Sequence, residues 1–167
     1  MVNVVTSTTT GDYFFHFFDS AIASNLFRAR IFVKKDATTT NYAFGVQSSS
    51  NAGSLVYTPF SYTPGSTHLL VLKYTFNAST ADDQVSLFVD PVVGCSEPAA
   101  TLTTATTTGE VDATNIDGVA IRQGGASSGA TEQVDGIRVA NNWADAVCTG
   151  VVPTRTSTWG ALKGLYR

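Results

Sequence analysis

Thr67-His-Leu-Leu-Val-Leu-Lys-Tyr-Thr-Phe-Asn77 and, after a polar turn, Asp83-Gln-Val-Ser-Leu-Phe-Val-Asp-Pro91 decide the fold class. In the first run Leu70, Leu72, Tyr74 and Phe76 share one face while Leu69, Val71, Lys73 and Thr75 share the other, the period of two that marks a strand. The second run repeats it, with Val85, Leu87 and Val89 set against Gln84, Ser86 and Asp90. The intervening Ala78-Ser-Thr-Ala-Asp82 is turn chemistry, so two neighbouring antiparallel strands are expected.

Working outward, short alternating apolar segments recur between Gly, Ser, Thr and Asn clusters, and no segment of helical period exceeds a few turns. Strands are predicted over residues 2–6, 12–18, 26–35, 42–47, 54–57, 67–77, 84–90, 99–103, 116–123 and 133–140. This many strands, several long enough to cross a sheet, fits an all-β, two-sheet antiparallel jelly-roll sandwich better than a tight barrel. An immunoglobulin-like sandwich is the runner-up, but the Cys, Trp, Cys spacing is missing. The expected interior comprises Leu70, Leu72, Tyr74, Phe76, Val85, Leu87, Val89, Val119, Ile121, Ile137 and Val139. Residues 103–108 and 124–129 read as low-complexity loops, and residues 141–147 as a short Asn-capped helical turn carrying Trp143 and Val147 on one face. The sandwich is expected to span residues 1–150. Residues 151–167 then form a linker and an amphipathic tail with Trp159, Leu162 and Leu165 three apart.

Composition limits the function classes. Only 14% of residues are charged, below the roughly 25% of ordinary soluble domains, and Thr, Ser, Asn and Gly make up the polar surface. A net charge of −3 and a pI near 5.1 argue against a phosphate-binding surface, so no nucleic acid partner is expected. Arg28, Arg30, Lys34 and Lys35 are the one basic cluster, read as a solvated outer face of a strand. No apolar run reaches the length of a membrane span. Met1-Val-Asn-Val-Val has no basic region or apolar core of a signal peptide, and reads as a trimmed start or a cytosolic one. Cys95 and Cys148, both in loop-like sequence, favour a disulfide worth on the order of 4 kcal/mol by chain entropy. The alternative is two free thiols in a reducing compartment.

Gly11-Asp-Tyr-Phe-Phe-His16, Phe27-Arg-Ala-Arg-Ile-Phe-Val33, Phe44-Gly-Val46, the two opening runs, Glu97-Pro-Ala-Ala-Thr101, Val119-Ala-Ile-Arg-Gln-Gly124 and Val134-Asp-Gly-Ile-Arg-Val-Ala140 with Trp143-Ala-Asp145 together carry a resemblance. Over residues 11–147, in order, the chain resembles the concanavalin A/laminin-G-like jelly-roll modules of bacterial secreted and surface proteins. Such modules usually have further strands before the segment matching residues 2–6, and this sequence does not show them. The resemblance implies an extracellular or cell-surface location. The ending Trp159-Gly-Ala-Leu-Lys-Gly-Leu-Tyr-Arg167 resembles a short motif of secreted bacterial proteins that implies export or anchoring; an ordinary amphipathic end is the other reading.

Concanavalin-like folds also host glycoside hydrolases, which need two carboxylates flanking the sugar bond. The Glu-x-Asp-x-x-Glu arrangement is absent, and Glu97, Glu110 and Glu132 lie in or beside predicted loops. No Gly-x-Ser-x-Gly elbow occurs. His16 and His68 sit in predicted strands without partners at metal-ligand spacing, and read as hydrogen-bonded strand histidines. No cofactor is expected. Calcium stays open without a clear ligand cluster, because strand rise separates Asp82 and Asp83 from Asp90, and Asp117 and Asp135 precede turn glycines. Tyr57, Phe60 and Tyr62 are the candidate ligand-binding rings, with core packing as their alternative. The expected function is therefore a non-catalytic recognition or adhesion module for carbohydrate or another surface polymer. A structural subunit of an extracellular fibre or sheath is the alternative, self-associating at sheet edges with residues 2–10 or the tail as donor strand. A glycoside-active enzyme is the lesser one.

Overall fold

The computed structural model describes residues 1–19, 27–49, 54–106 and 110–148. The expected strand within the opening run bends at Leu69 into β6 (Thr67–His68) and β7 (Leu70–Thr75). β7 pairs antiparallel with β8 (Gln84–Val89) through six consecutive residues, Leu70 opposite Val89 to Thr75 opposite Gln84. β8 pairs in turn with β9 (Leu102–Ala105). The turn between β7 and β8 is closed by Asp83, whose carboxylate accepts from the Tyr74 hydroxyl at 2.6 Å and the Asn77 N–H at 2.7 Å.

A five-stranded sheet runs in the order β10 (Gly118–Ile121), β2 (Asp12–Phe18), β3 (Phe27–Lys35), β4 (Tyr42–Gln47), β5 (Val56–Tyr57). β3 and β4 are joined by a turn in which the Asp36 carboxylate accepts from Thr38 and Thr39; the Thr38 hydroxyl and the two amides hold it down to about 2. A third sheet places β1 (Val2–Thr6) between β11 (Thr131–Val134) and β6. All neighbouring strands are antiparallel.

One core draws on all three sheets: Val2 and Val4, then Ile31, Val33, Tyr42, Phe44 and Val46, then Val85 and Leu87, with Leu70, Leu72, Tyr74 and Val89 packed around them. The molecule is thus an all-β sandwich of three antiparallel sheets. These residues belong to a compact unit of Met1–Pro91 and Pro98–Ile137. A second unit comprises Val92–Glu97 and the described residues from Arg138 onward. In it Cys95 and Cys148 form a disulfide with Cα atoms 4.6 Å apart. The helical turn there is α1 (Trp143–Val147), capped by the Asn142 carboxamide on the Asp145 N–H, while Trp143 donates to the Gly94 carbonyl at 2.9 Å. The tail over residues 151–167 lies outside the described residues.

Several expectations are corrected. Phe76, Ile121, Ile137 and Val139, expected inside, are 52%, 58%, 49% and 71% exposed. Phe76 lies past the end of β7, Ile121 ends an edge strand, and the last two follow β11, which covers 131–134 rather than 133–140. Ile121 pairs with Phe15 of β2 on one side, whereas the alternation of Ile137 and Val139 meets no paired strand among the described residues. Part of the Thr-rich run read as a loop is β9, because β8 offers a free edge there. Residues 2–6 are not a free donor strand, since β1 is paired on both sides.

Candidate functional site

The basic cluster on β3 does not form a solvated face, because β3 is kinked. Ala29 has φ +48°, and the pairing with β2 slips a residue between Phe15 and Phe17. Such a bulge reverses the side-chain alternation. Arg28 therefore sits opposite Phe17 and acts electrostatically on core Tyr74, while Arg30 lies on the opposite, outer face beside Gln47. Both arginines are buried.

On that outer face the five-stranded sheet carries a layer of rings. Tyr13 of β2 meets Phe27 and Phe32 of β3 with ring centres 6.3 and 5.5 Å apart. Phe32 meets Tyr57 of β5 edge-on at 6.4 Å, and His16 lies against Phe27 at 4.0 Å. Two glycines let the rings lie on bare backbone: a Cβ on Gly45 would stand 2.6 Å from the Tyr57 ring, and one on Gly118 2.5 Å from the Phe18 ring. Tyr13, Phe18, Phe27, Phe32 and Tyr57 are each half-buried, so the layer reaches solvent from β10 to β5, about 20 Å at ordinary strand spacing.

Cations are set into this layer. Arg30 lies 4.7 Å from the Tyr13 ring centre and Arg122 4.3 Å from it, while Lys34 sits 5.7 Å from that of Tyr57. Arg122 is fixed by Asp12 at 2.8 Å and donates to the Tyr13 carbonyl. Burial works to raise the Asp12 carboxyl, but Arg122, the Tyr13 N–H and the Ser128 hydroxyl outweigh it and hold Asp12 below its ordinary value. Burial lowers His16, and Arg30 and Arg122 add to the effect, so this imidazole is held neutral, donating from Nδ1 to the Phe17 carbonyl. Burial pushes the Tyr57 phenol up to about 12.

The three rings picked from the sequence are not brought together. Tyr57 belongs to the outer layer. Tyr62 turns to the other side, packing on Tyr42, Phe44 and His68 at 5.8, 5.0 and 5.1 Å. Phe60 stands exposed between them in the chain. Tyr13, Phe27 and Phe32 were missed as ring candidates. Their signal was present in the alternation of β2 and β3, where aromatic residues occupy both faces, but alternation alone assigns only one face to the core. Beside Tyr62, His68 donates from Nδ1 to the Asp90 carboxylate at 2.6 Å, and that carboxylate also accepts from the Leu69 N–H, bridging the bend between β6 and β7.

For a cation, Asp82, Asp83 and Asp112 bring carboxylate oxygens within 4.8 Å of one another. Asp90 takes no part, and Asp112 was not anticipated, being some thirty residues further along the chain. The grouping is an internally bonded turn: Asp112 accepts from the Asp82 and Asp83 amides at 3.0 and 3.2 Å, and both Asp83 oxygens are engaged. No helix among the described residues is long and apolar enough to cross a membrane. No protein-family model, curated protein or solved structure matches the chain.

Proposed function

We propose that this protein is an extracellular, non-catalytic recognition module that holds a carbohydrate or related surface polymer against the outer face of its five-stranded sheet, within a concanavalin-like jelly-roll winding. The observation that carries the reading is the ring layer of Tyr13, Phe27, Phe32 and Tyr57. Half-buried rings held edge to face present apolar surface at little conformational cost, while the partly exposed Arg122 guanidinium fixed beside them supplies directed N–H donors. Sugars, with apolar ring faces and hydroxyl rims, match both. The Cys95–Cys148 disulfide suits an oxidising location. The test is a polysaccharide pull-down and glycan array with the full chain, compared with Tyr13→Ala and Phe32→Ala. Binding lost in both variants at unchanged fold supports the platform; no glycan retained by the parent chain overturns it.

A second reading, a subunit of an extracellular fibre or sheath, is favoured by the segment after β11. Residues 135–140 are exposed and carry Ile137 and Val139, an apolar alternation able to accept a strand from another copy. Sedimentation at high concentration separates the two, because a strictly monomeric chain is incompatible with the fibre.

A further inference from the structure

Glu132 occupies an unusual place for a carboxylate. It lies in β11 directly opposite Val4, and Val2 lies opposite Val134 two residues on. Residues paired across an antiparallel ladder share a face. Val2 and Val4 are core residues and Val134 packs on that core, so Glu132 points to the inside of the sandwich. β11 is four residues long and, among the described residues, forms the edge of its sheet, paired with β1 alone. The ladder is irregular just there, with Val4 opposite Glu132 but Thr6 opposite Thr131.

The surroundings do little to compensate a charge. Among the described residues the one charged group whose influence on Glu132 is resolved is Asp12, at the start of β2, and it is of the same sign. Arg122 is engaged by Asp12, and Ser128 donates to the other Asp12 oxygen at 3.0 Å. β1 offers Val2 and Val4 on this face. Gln123, in the chain leading to β11, is engaged with the Ala130 carbonyl.

We infer that Glu132 makes β11 a pH-sensitive edge: protonated, it stays inside and β11 closes on β1; ionised, it is drawn toward water and β11 loosens, opening that edge of β1. The direction follows from the cost of an uncompensated charge on an inner face. Burial, with Asp12 adding to it, outweighs the hydrogen bond from the residue's own backbone N–H and pushes this carboxyl up from 4.5 to about 7, so the change falls in the range between mildly acidic and mildly alkaline water. The inference concerns a different part of the molecule from the ring layer and does not depend on what that layer binds.

Hydrogen exchange followed by NMR at pH 5.5 and 8.5, corrected for intrinsic rates, tests it. Protection of amides in residues 2–6 and 131–134 is expected to fall about tenfold at the higher pH, clearly more than in the β7–β8 ladder, and Glu132→Gln is expected to remove the difference. Equal protection at both pH values, an equal fall across β7–β8, or the same fall in Glu132→Gln would each overturn it. Should that variant not fold, the carboxyl carbon shift of Glu132 in the unmodified chain decides: titration near 7 supports the switch, and titration at an ordinary carboxylate value refutes it.

Discussion

The β7–β8 ladder and the β1–β11 ladder are built from similar residues but secured differently. The first joins neighbours in sequence through six unbroken pairs, its turn fixed by the Asp83 carboxylate. The second joins opposite ends of the fold, where the Met1 amine donates to the Asp135 carbonyl across 134 residues, and it contains a break and an inward-facing glutamate. A local hairpin forms at small loop-closure cost, whereas a distant pairing forms only after the rest of the sandwich has placed its ends. Strength in the first is therefore intrinsic, and in the second borrowed from the shared core.

Leu87→Ala is the most severe way to test the contrast. It removes a fully buried side chain opposite Leu72 and should cost about 3 kcal/mol, read as a lower denaturation midpoint with unchanged slope. A loss below about 1 kcal/mol would mean that the hairpin does not anchor the core. Tyr74→Phe comes next. It deletes the hydroxyl that donates to Asp83 and accepts from the Ala113 N–H, and should cost about 1–2 kcal/mol while leaving the packing in place.

Glu132 supplies a smaller effect with a definite sign. Because its folded value is raised above its ordinary one, the folded chain holds this proton more tightly than the unfolded chain. Its contribution is most favourable below 4.5, declines as pH rises to about 7 and is flat above. Glu132→Gln should then be the more stable chain at pH 8, by about 1 kcal/mol once partial exposure and solvent screening are allowed for, and the advantage should vanish near pH 4. Thermal melts of both chains at the two pH values measure it. Least of all, Ile137→Ser should shift stability by under about 0.5 kcal/mol, since that residue is exposed in the single chain. A larger loss at high concentration alone would point to a partner strand on this segment.

Legibility followed the same division. The ladders of β2, β4 and β8 stand where alternation put them, because each meets a neighbour close by in sequence or a broad sheet face. The segment around Ile137 has equal alternation but no paired strand among the described residues, and periodicity reports only a tendency to pair. Likewise, Asp12 with Arg122, and Asp82 and Asp83 with Asp112, join residues that no spacing links.

By itself the sequence determined an all-β chain, most of its strands and the Asn-capped turn before Cys148, since each follows from local backbone preference, while two cysteines in loop-like sequence only favoured the disulfide that the structure forms. Only the tertiary structure decided which face each side chain takes. One bulge at Ala29 sends Arg28 inward and Arg30 outward to the rings, and the pairing of β11 with β1 turns Glu132 toward the core. A period of two fixes that neighbours oppose one another, but a single inserted residue reverses which of them is inside, and only the assembled sheets set its position.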